Sequence, residues 1–480
     1  MGRLTWARKI RVGWSGAAVR KLAWLSLAGF SLVAARPQDR AKLTPLEISA
    51  TLALGPHAGE CARCHTIHGE DQPIVYPIAL IGPNDNALCD QCHTTAWEGG
   101  SFGGTLVYNG SSHGEDVTMI WPGPEPPART EAGAASKCVN CHEPHGRVDA
   151  TGLVPFLANA REEALCLTCH DGTPALSNIQ LEIRKPFRHP IEDRTGLHAG
   201  PTESLPQDFG SAPLNKRHAE CVDCHNPHVA YTDRFGLPAA PALSKVNLGV
   251  SRVRALNGVA GQLPAYTFAA GADTLSSPLA EYQLCFKCHS SWTSQPSGQT
   301  DLALVLNPAN PSYHPVEAQG RDLMIAPGAF VAPWSPESMT RCGSCHGSDS
   351  GTSEGPHGSS FRYILRSPYT ASPAPRTMTT DEICFTCHRW EVYADQNPPD
   401  LMAINSRWNG PAFDKGHAFH VGQKNVPCYS CHVTHGSTTL PHLLVTGRSP
   451  GLTSYVETAL GGTCTSTCHA LKTYTINYGR

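Results

Sequence analysis

A chain of 480 residues is long enough for two or three ordinary domains, but this one carries 44 Gly, 40 Pro, only 7% aromatic residues and short Leu/Ile/Val runs. Such a composition struggles to bury enough apolar surface against its ordering entropy, so either much of the chain stays unfolded or something other than side chains supplies the core. The formal net charge of −3 shows no basic excess, which argues against DNA or RNA as a partner, because phosphate binding needs clustered Lys and Arg.

In chain order, residues 1–35 come first and read as an export signal peptide. Arg3, Arg8, Lys9, Arg11, Arg20 and Lys21 stand there without an acid, followed by LAWLSLAGFSLVAA at 22–35, and Val33 and Ala35 suit cleavage after Ala35. Fourteen apolar residues fall short of the ~20 of a membrane span, so an uncleaved anchor is the lesser alternative. Cleavage removes six of 37 basic residues and none of the 40 acidic ones, leaving 31 against 40, a net charge of −9.

The 20 cysteines fall into ten pairs: Cys61/Cys64, Cys89/Cys92, Cys138/Cys141, Cys166/Cys169, Cys221/Cys224, Cys285/Cys288, Cys342/Cys345, Cys384/Cys387, Cys428/Cys431 and Cys464/Cys468. The second Cys of each is followed by a histidine: His65, His93, His142, His170, His225, His289, His346, His388, His432 and His469. A disulfide framework does not need that histidine, and a zinc site does not need one abutting each pair. Covalent c-type haem attachment explains all of it: two thiols add to the two vinyl groups and the imidazole ligates the iron. On one helical turn, positions i, i+3 and i+4 share a face, so one turn presents all three groups. Ten haem c groups then supply the missing core. The last pair has a three-residue spacer, CTSTCH at 464–469; the longer loop still reaches both vinyls, with an unattached thiol pair at Cys464 as the alternative.

The motifs repeat in twos, in five units starting near 57, 138, 218, 342 and 428. The first member has the form C-x-x-C-H-x-x-H, as in CARCHTIHG, CVNCHEPHG, CVDCHNPHV and CYSCHVTHG; the second follows Leu or Ile, as in LCDQCH, LCLTCH, LCFKCH and ICFTCH. The fourth unit departs, with its second histidine, His357, delayed by a Gly/Ser loop. This paired pattern resembles the doubled-CXXCH multihaem c-type cytochromes, as does CLTCHDGT at 166–173 followed by RHPIED at 188–193. The resemblance implies a mostly irregular chain with short α-helices and little β-sheet, wrapped around a chain of covalently attached haems. Short helices are expected at 161–169 and 380–388. The segmentation expected is 36–217 for haem pairs one and two, 218–341 for pair three with long loops, and 342–480 for pairs four and five. The motif-free stretch 229–280 is open to either a small subdomain or a partner-binding loop.

Of 24 histidines, fourteen remain for other work. Methionine, the other common iron ligand, sits in no repeated position, so bis-histidine ligation is expected. The motif-linked His68, His145, His228, His357 and His435 are the first candidates for distal ligands, with His145 assigned to the partner haem of its own pair. His113, His189 and His314 follow in the gaps after second motifs, with His417 and His420 competing in the fourth unit. His57 and His218, just before a motif, complete the set; His198 and His442 read as surface residues. Six-coordinate haems carry electrons rather than bind substrate, so the reading is an electron carrier, not an enzyme. It works in extracellular electron transfer between a periplasmic or quinol-linked membrane donor, or other cytochromes, and an extracytoplasmic acceptor, as a shuttle, a complex subunit or a self-assembling filament protomer. Its place is the periplasm, the cell surface or the outside. The alternative is a multihaem reductase of nitrogen or sulfur oxyanions with one open haem.

Overall fold

The computed structural model describes residues 62, 64–65, 80–81, 86–93, 108–115, 138–145, 147–149, 152–154, 162–192, 219–231, 237–271, 279–293, 299–322, 325–351, 353–375, 382–397, 399, 404–409 and 416–475. The export signal expected at 1–35, Cys61, His57, His68, His198 and His218 lie outside them.

Among the described residues the longest helix is Glu281–His289. It begins with an acid and ends in Lys287 and His289, which suits the helix dipole at both ends. Most other helical pieces are single turns, because the Gly- and Pro-rich chain supplies few helix-forming runs. The expected helix at 161–169 is Glu162–Cys166 continued by turns. That at 380–388 is reduced to a 3₁₀ turn, Ile383–Thr386, with β-branched residues at both ends. No described helix is long and apolar enough to cross a membrane.

Among the described residues, sheet is confined to small antiparallel pieces. Gly461–Ser466 is the centre of a three-stranded antiparallel sheet, between Leu452–Thr458 and Lys472–Thr475. Arg252–Leu256 and Ala265–Ala269 form a hairpin within the motif-free stretch. Two short ribbons join distant chain: Phe187–Arg188 with Gly358–Ser359, and Ser312–Tyr313 with Gly436–Ser437. The glycines are required there. A Cβ at Gly358 would lie 1.9 Å from the Glu182 carbonyl oxygen, and one at Gly436 the same distance from that of Val305.

Side chains make only small cores. Phe286, fully buried, packs with Ala255, Ala303, Leu306 and Val316; Leu167, Ile183 and Ile191 form a second cluster; Leu444, Leu452 and Cys464 a third. Between them lies a cavity of 3660 Å³, lined by the Cys-x-x-Cys-His turns. Protein interiors are close-packed, and one small-molecule pocket takes roughly 300–1,000 Å³. The space fits several large apolar groups and stands where an ordinary core would be.

Candidate functional site

Most of the turns are built alike. The histidine N–H bonds the carbonyl of the first cysteine, four residues back, at 2.9 Å for His142, His225, His346, His388 and His432 and at 3.0 Å for His170. This single i→i−4 turn gathers two sulfurs and an imidazole on one face, as the spacing requires.

Two motifs depart from the expected placement. In the second, Cys92 is exposed and stands outside the cavity lining, whereas Cys89 and His93 of the same helix, Asn86–His93, line it. The spacing is the same in Glu281–His289, where Cys285, Cys288 and His289 all line the cavity, so the difference lies in how Asn86–His93 is rolled toward it, Cys92 and His93 falling on opposite sides of Cys89 at about 100° per residue. In the tenth motif, Cys464 is buried in the middle strand of the terminal sheet, opposite Tyr455 and Lys472, while Cys468 is exposed. The Thr-rich surroundings of Cys464 favour extended chain.

Among the described residues, nine of the motif histidines face a second histidine. The pairs are His65–His145, His142–His228, His113–His170, His225–His357, His189–His289, His346–His435, His314–His388, His417–His432 and His420–His469. Their ring centroids lie between 5.7 and 6.5 Å apart. A metal–imidazole bond is about 2.0 Å and the centroid sits about 1.2 Å behind the nitrogen, so two imidazoles on opposite sides of one metal stand about 6.4 Å apart. The gaps fit one iron each.

Second-sphere contacts fit as well. Nδ1 meets a backbone carbonyl oxygen in His113 (Pro227, 3.1 Å), His189 (Pro356, 2.8 Å), His225 (Val246, 3.0 Å), His346 (Tyr363, 2.7 Å), His432 (His442, 2.9 Å) and others. That contact leaves Nε2 for a metal and fixes the ring orientation. Burial lowers the imidazoles, His170, His228, His432 and His435 to about 4 and His357 and His388 to about 3, and a metal takes the neutral ring.

The thiols do not resemble redox or metal-binding thiolates. Burial raises Cys169, Cys387 and Cys431 to about 11 and Cys224 and Cys345 to about 12, the opposite of activation. Cys138 is lowered, by a hydrogen bond with Cys89. A cation held by Cys166, Cys221 and Glu162, whose ligand atoms lie within 4.8 Å of one another, would leave Cys169, Cys224 and the histidine pairs without a purpose.

The comparisons with known proteins point the same way. A family model described as "Doubled CXXCH motif" matches residues 55–97 and 131–175. A "Nine-heme cytochrome c" of Desulfovibrio desulfuricans is 24% identical over 128 residues, which is 26% of this chain and 32% of the relative. The chain thus spans about a third of the length of the curated relative it matches. No solved structure matches it. The chain belongs to the multihaem c-type cytochromes. Its Cys-x-x-Cys-His turns are those that bind haem c, and bound haem would supply a one-electron iron couple.

The histidine partners in the cytochrome are not those expected from sequence. His145 faces His65 of the preceding unit rather than His170 of its own, which is faced by His113. The linked histidines reach backwards throughout: His145, His228, His357 and His435 face the first-motif histidine one unit earlier. The gap histidines reach forwards: His113, His189, His314 and His420 face the second-motif histidine one unit later. His417 and His420 do not compete, since each has its own partner. The ribbons explain this. His189 N–H donates to the His357 carbonyl and His314 N–H to that of His435, so each ribbon sets one forward and one backward histidine side by side. His442 is half exposed, between Asp322 at 3.4 Å and Glu457 at 3.2 Å, a surface residue as expected.

Neighbouring motifs also touch through cysteines. The sulfurs of Cys166 and Cys221, Cys285 and Cys342, and Cys384 and Cys428 each lie within 4.8 Å. Sequence reasoning missed the polar residues beside them. Glu162 Oε1 accepts from Val222 N at 3.0 Å, Glu281 Oε1 from Gly343 N at 2.6 Å, and in the first unit Asn86 Oδ1 from Cys138 N at 2.9 Å. Each anchors the start of the next unit's turn, satisfying an amide that a helix leaves open. A polar residue three or four places before the second motif was the available signal. Also missed was the segment 406–409. Ser406 Oγ meets His417 Nδ1 at 3.1 Å, and Trp408 lies flat on His420 (5.0 Å, 11°) and edge-on to His417 (4.8 Å, 84°).

Proposed function

We propose that the cytochrome carries ten haems as a linear relay in sequence order, each iron held between two imidazoles, and passes electrons between a donor on the cell side and an acceptor beyond it. The observation that carries this reading is the set of nine histidine pairs at iron-spanning separation. The sequence order is supported by cysteine neighbours that link the fourth motif to the fifth, the sixth to the seventh and the eighth to the ninth. Extended one step toward the N-terminus, the forward register assigns His57 to the iron at His93. The leader at 1–35 and the covalent haem chemistry support export. Redox proteins on either side, or further copies of the chain, are the partners this reading calls for.

Low-temperature electron paramagnetic resonance of the oxidised holoprotein, with spin quantitation and intact mass, tests the reading. Ten haems, all low-spin, are expected. A high-spin equivalent that shifts with nitrite or a sulfur oxyanion would replace it with the reductase reading.

A further inference from the structure

The nine histidine pairs differ in one respect that ligand identity does not explain. Where the motif histidine belongs to the first motif of a unit, the two rings are nearly parallel. Their interplanar angles are 25° for His65–His145, 18° for His142–His228, 22° for His225–His357, 9° for His346–His435 and 22° for His417–His432. Where it belongs to the second motif, the rings are steeply inclined: 88° for His113–His170, 59° for His189–His289, 63° for His314–His388 and 54° for His420–His469. The two sets do not overlap, and along the chain they alternate.

The ninth motif separates the possible causes. In the first four units the parallel partner is a backward-reaching linked histidine. In the fifth it is His417, which lies in the gap after the eighth motif, yet its angle to His432 is 22°. The class therefore follows the motif that bears the proximal ring, not the origin of the distal one. The fixing contacts are backbone ones. His225, His346 and His432 meet the carbonyl oxygens of Val246, Tyr363 and His442 through Nδ1. His189 and His314 meet those of Pro356 and Thr434 across the ribbons. Neither set can turn without breaking a hydrogen bond.

Ring angle has an electronic consequence. The π orbital of an imidazole acts on the iron dπ orbital that lies perpendicular to the ring plane. Two parallel rings act on the same dπ orbital and split the pair strongly. Two crossed rings act on one each and leave the pair nearly degenerate. Ligand orientation and its hydrogen bonds are among the few controls a protein keeps when every iron has the same two ligands.

We propose that the relay is built from two alternating classes of iron site, with parallel axial imidazoles at first motifs and crossed ones at second motifs. This rests on the bis-histidine reading above, and the test keeps the two apart. In the oxidised holoprotein, low-spin resonances are expected in two families of about equal spin: a rhombic family from the parallel sites and a strongly anisotropic family, with a larger greatest g value, from the crossed sites. His228→Met should remove one site from the rhombic family, and His189→Met one from the anisotropic family, each changing that family by about a fifth. If every haem is low-spin but falls in one family, the alternation is wrong and the bis-histidine reading stands. If both variants deplete the same family, the assignment of classes to motifs is wrong and the proposal falls. If the wild type lacks low-spin bis-imidazole resonances, the ligation reading itself fails. Should either variant lose haem, the wild-type ratio alone decides.

Discussion

Glu162 offers a sharp test of how neighbouring haem turns are joined. It is 7% exposed, its carboxylate lies within 4.8 Å of both the Cys166 and Cys221 sulfurs, and Oε1 accepts from Val222 N. Burial, and then the nearby charge of Glu220, raise its carboxyl from 4.5 to about 7. The folded protein therefore holds a proton that the unfolded chain releases. The stability linked to that proton is fully present below about pH 4.5 and is lost as the pH rises through about 7. A rise from 4.5 to about 7 corresponds to up to about 3 kcal/mol at about 1.36 kcal/mol per unit. Glu162→Gln keeps an oxygen for Val222 N and removes the titration. Guanidinium midpoints of the holoprotein, followed by haem absorbance, should be similar for the two proteins at pH 4.5. By pH 8 the variant should have gained on the wild type by most of that amount. A midpoint difference that stays the same from pH 4.5 to pH 8 would refute the account of Glu162 as a buried carboxyl strained by its setting.

Three further changes address other parts of the molecule. Trp408→Leu removes two ring contacts, to His417 and His420; at about 0.5–1.5 kcal/mol each it should cost about 1–3 kcal/mol and shift the spectra of no more than two haems, measured by denaturation and paramagnetic resonance. Cys464→Ala should leave the tenth haem attached through Cys468 alone, so a digest still yields the haem-bearing peptide; its loss, or a wild-type peptide without haem, would show that the long spacer does not support attachment. His442 is raised by Asp322 and Glu457, so its ion pairs stabilise below about pH 6.5 and are lost as the pH rises; with its side chain 41% exposed, His442→Gln should cost under about 1 kcal/mol at pH 5 and nothing at pH 9.

The haem turns were legible in the sequence because they are local. Two cysteines and a histidine within five residues determine one turn, and the His142 to Cys138 bond is what that spacing dictates. How each turn is rolled toward the cavity was not legible. Spacing alone treats Cys89 and Cys92 alike, and only the packing of Asn86–His93 leaves Cys92 exposed. The candidate distal histidines were legible as a set, since they recur at fixed places in the repeat. Their partners were not. His225 and His357 are 132 residues apart and meet at 6.0 Å, with His357 placed by a ribbon of two residues per strand to Phe187–Arg188, too short to leave a period-two pattern. The glycines of PHGS and THGS were visible, but their reason, a carbonyl in the place of a Cβ, belongs to tertiary structure. The terminal sheet was not legible because a Cys-x-x-Cys-His-like motif raises the expectation of a helical turn at 464, where the repeated Thr favours a strand. The hairpin at 252–269 closes through the loop 257–264, too long to carry the signature of a two-residue turn.

The crossed pattern of histidine pairs also bears on how the cytochrome holds together. In an ordinary repeat array each unit packs only on its neighbours, and stacking completes a continuous core. Here the dependence extends to the histidine pairs, for no described unit pairs its own motif histidines. The first-motif histidine of the fourth unit, His346, is faced by His435, which belongs to the fifth. The second-motif histidine of the fifth, His469, is faced by His420, which lies in the gap of the fourth. Removing the chain after residue 427 would take away more than two haems. His346 would lose its facing ring, and Ser312–Tyr313 would lose its ribbon partner, Gly436–Ser437. Such a truncation should yield eight attached haems, with the seventh iron in an altered spin state. An eight-haem product in which every iron stays low-spin bis-histidine would show that the units close themselves, contrary to the pairing of His346 with His435.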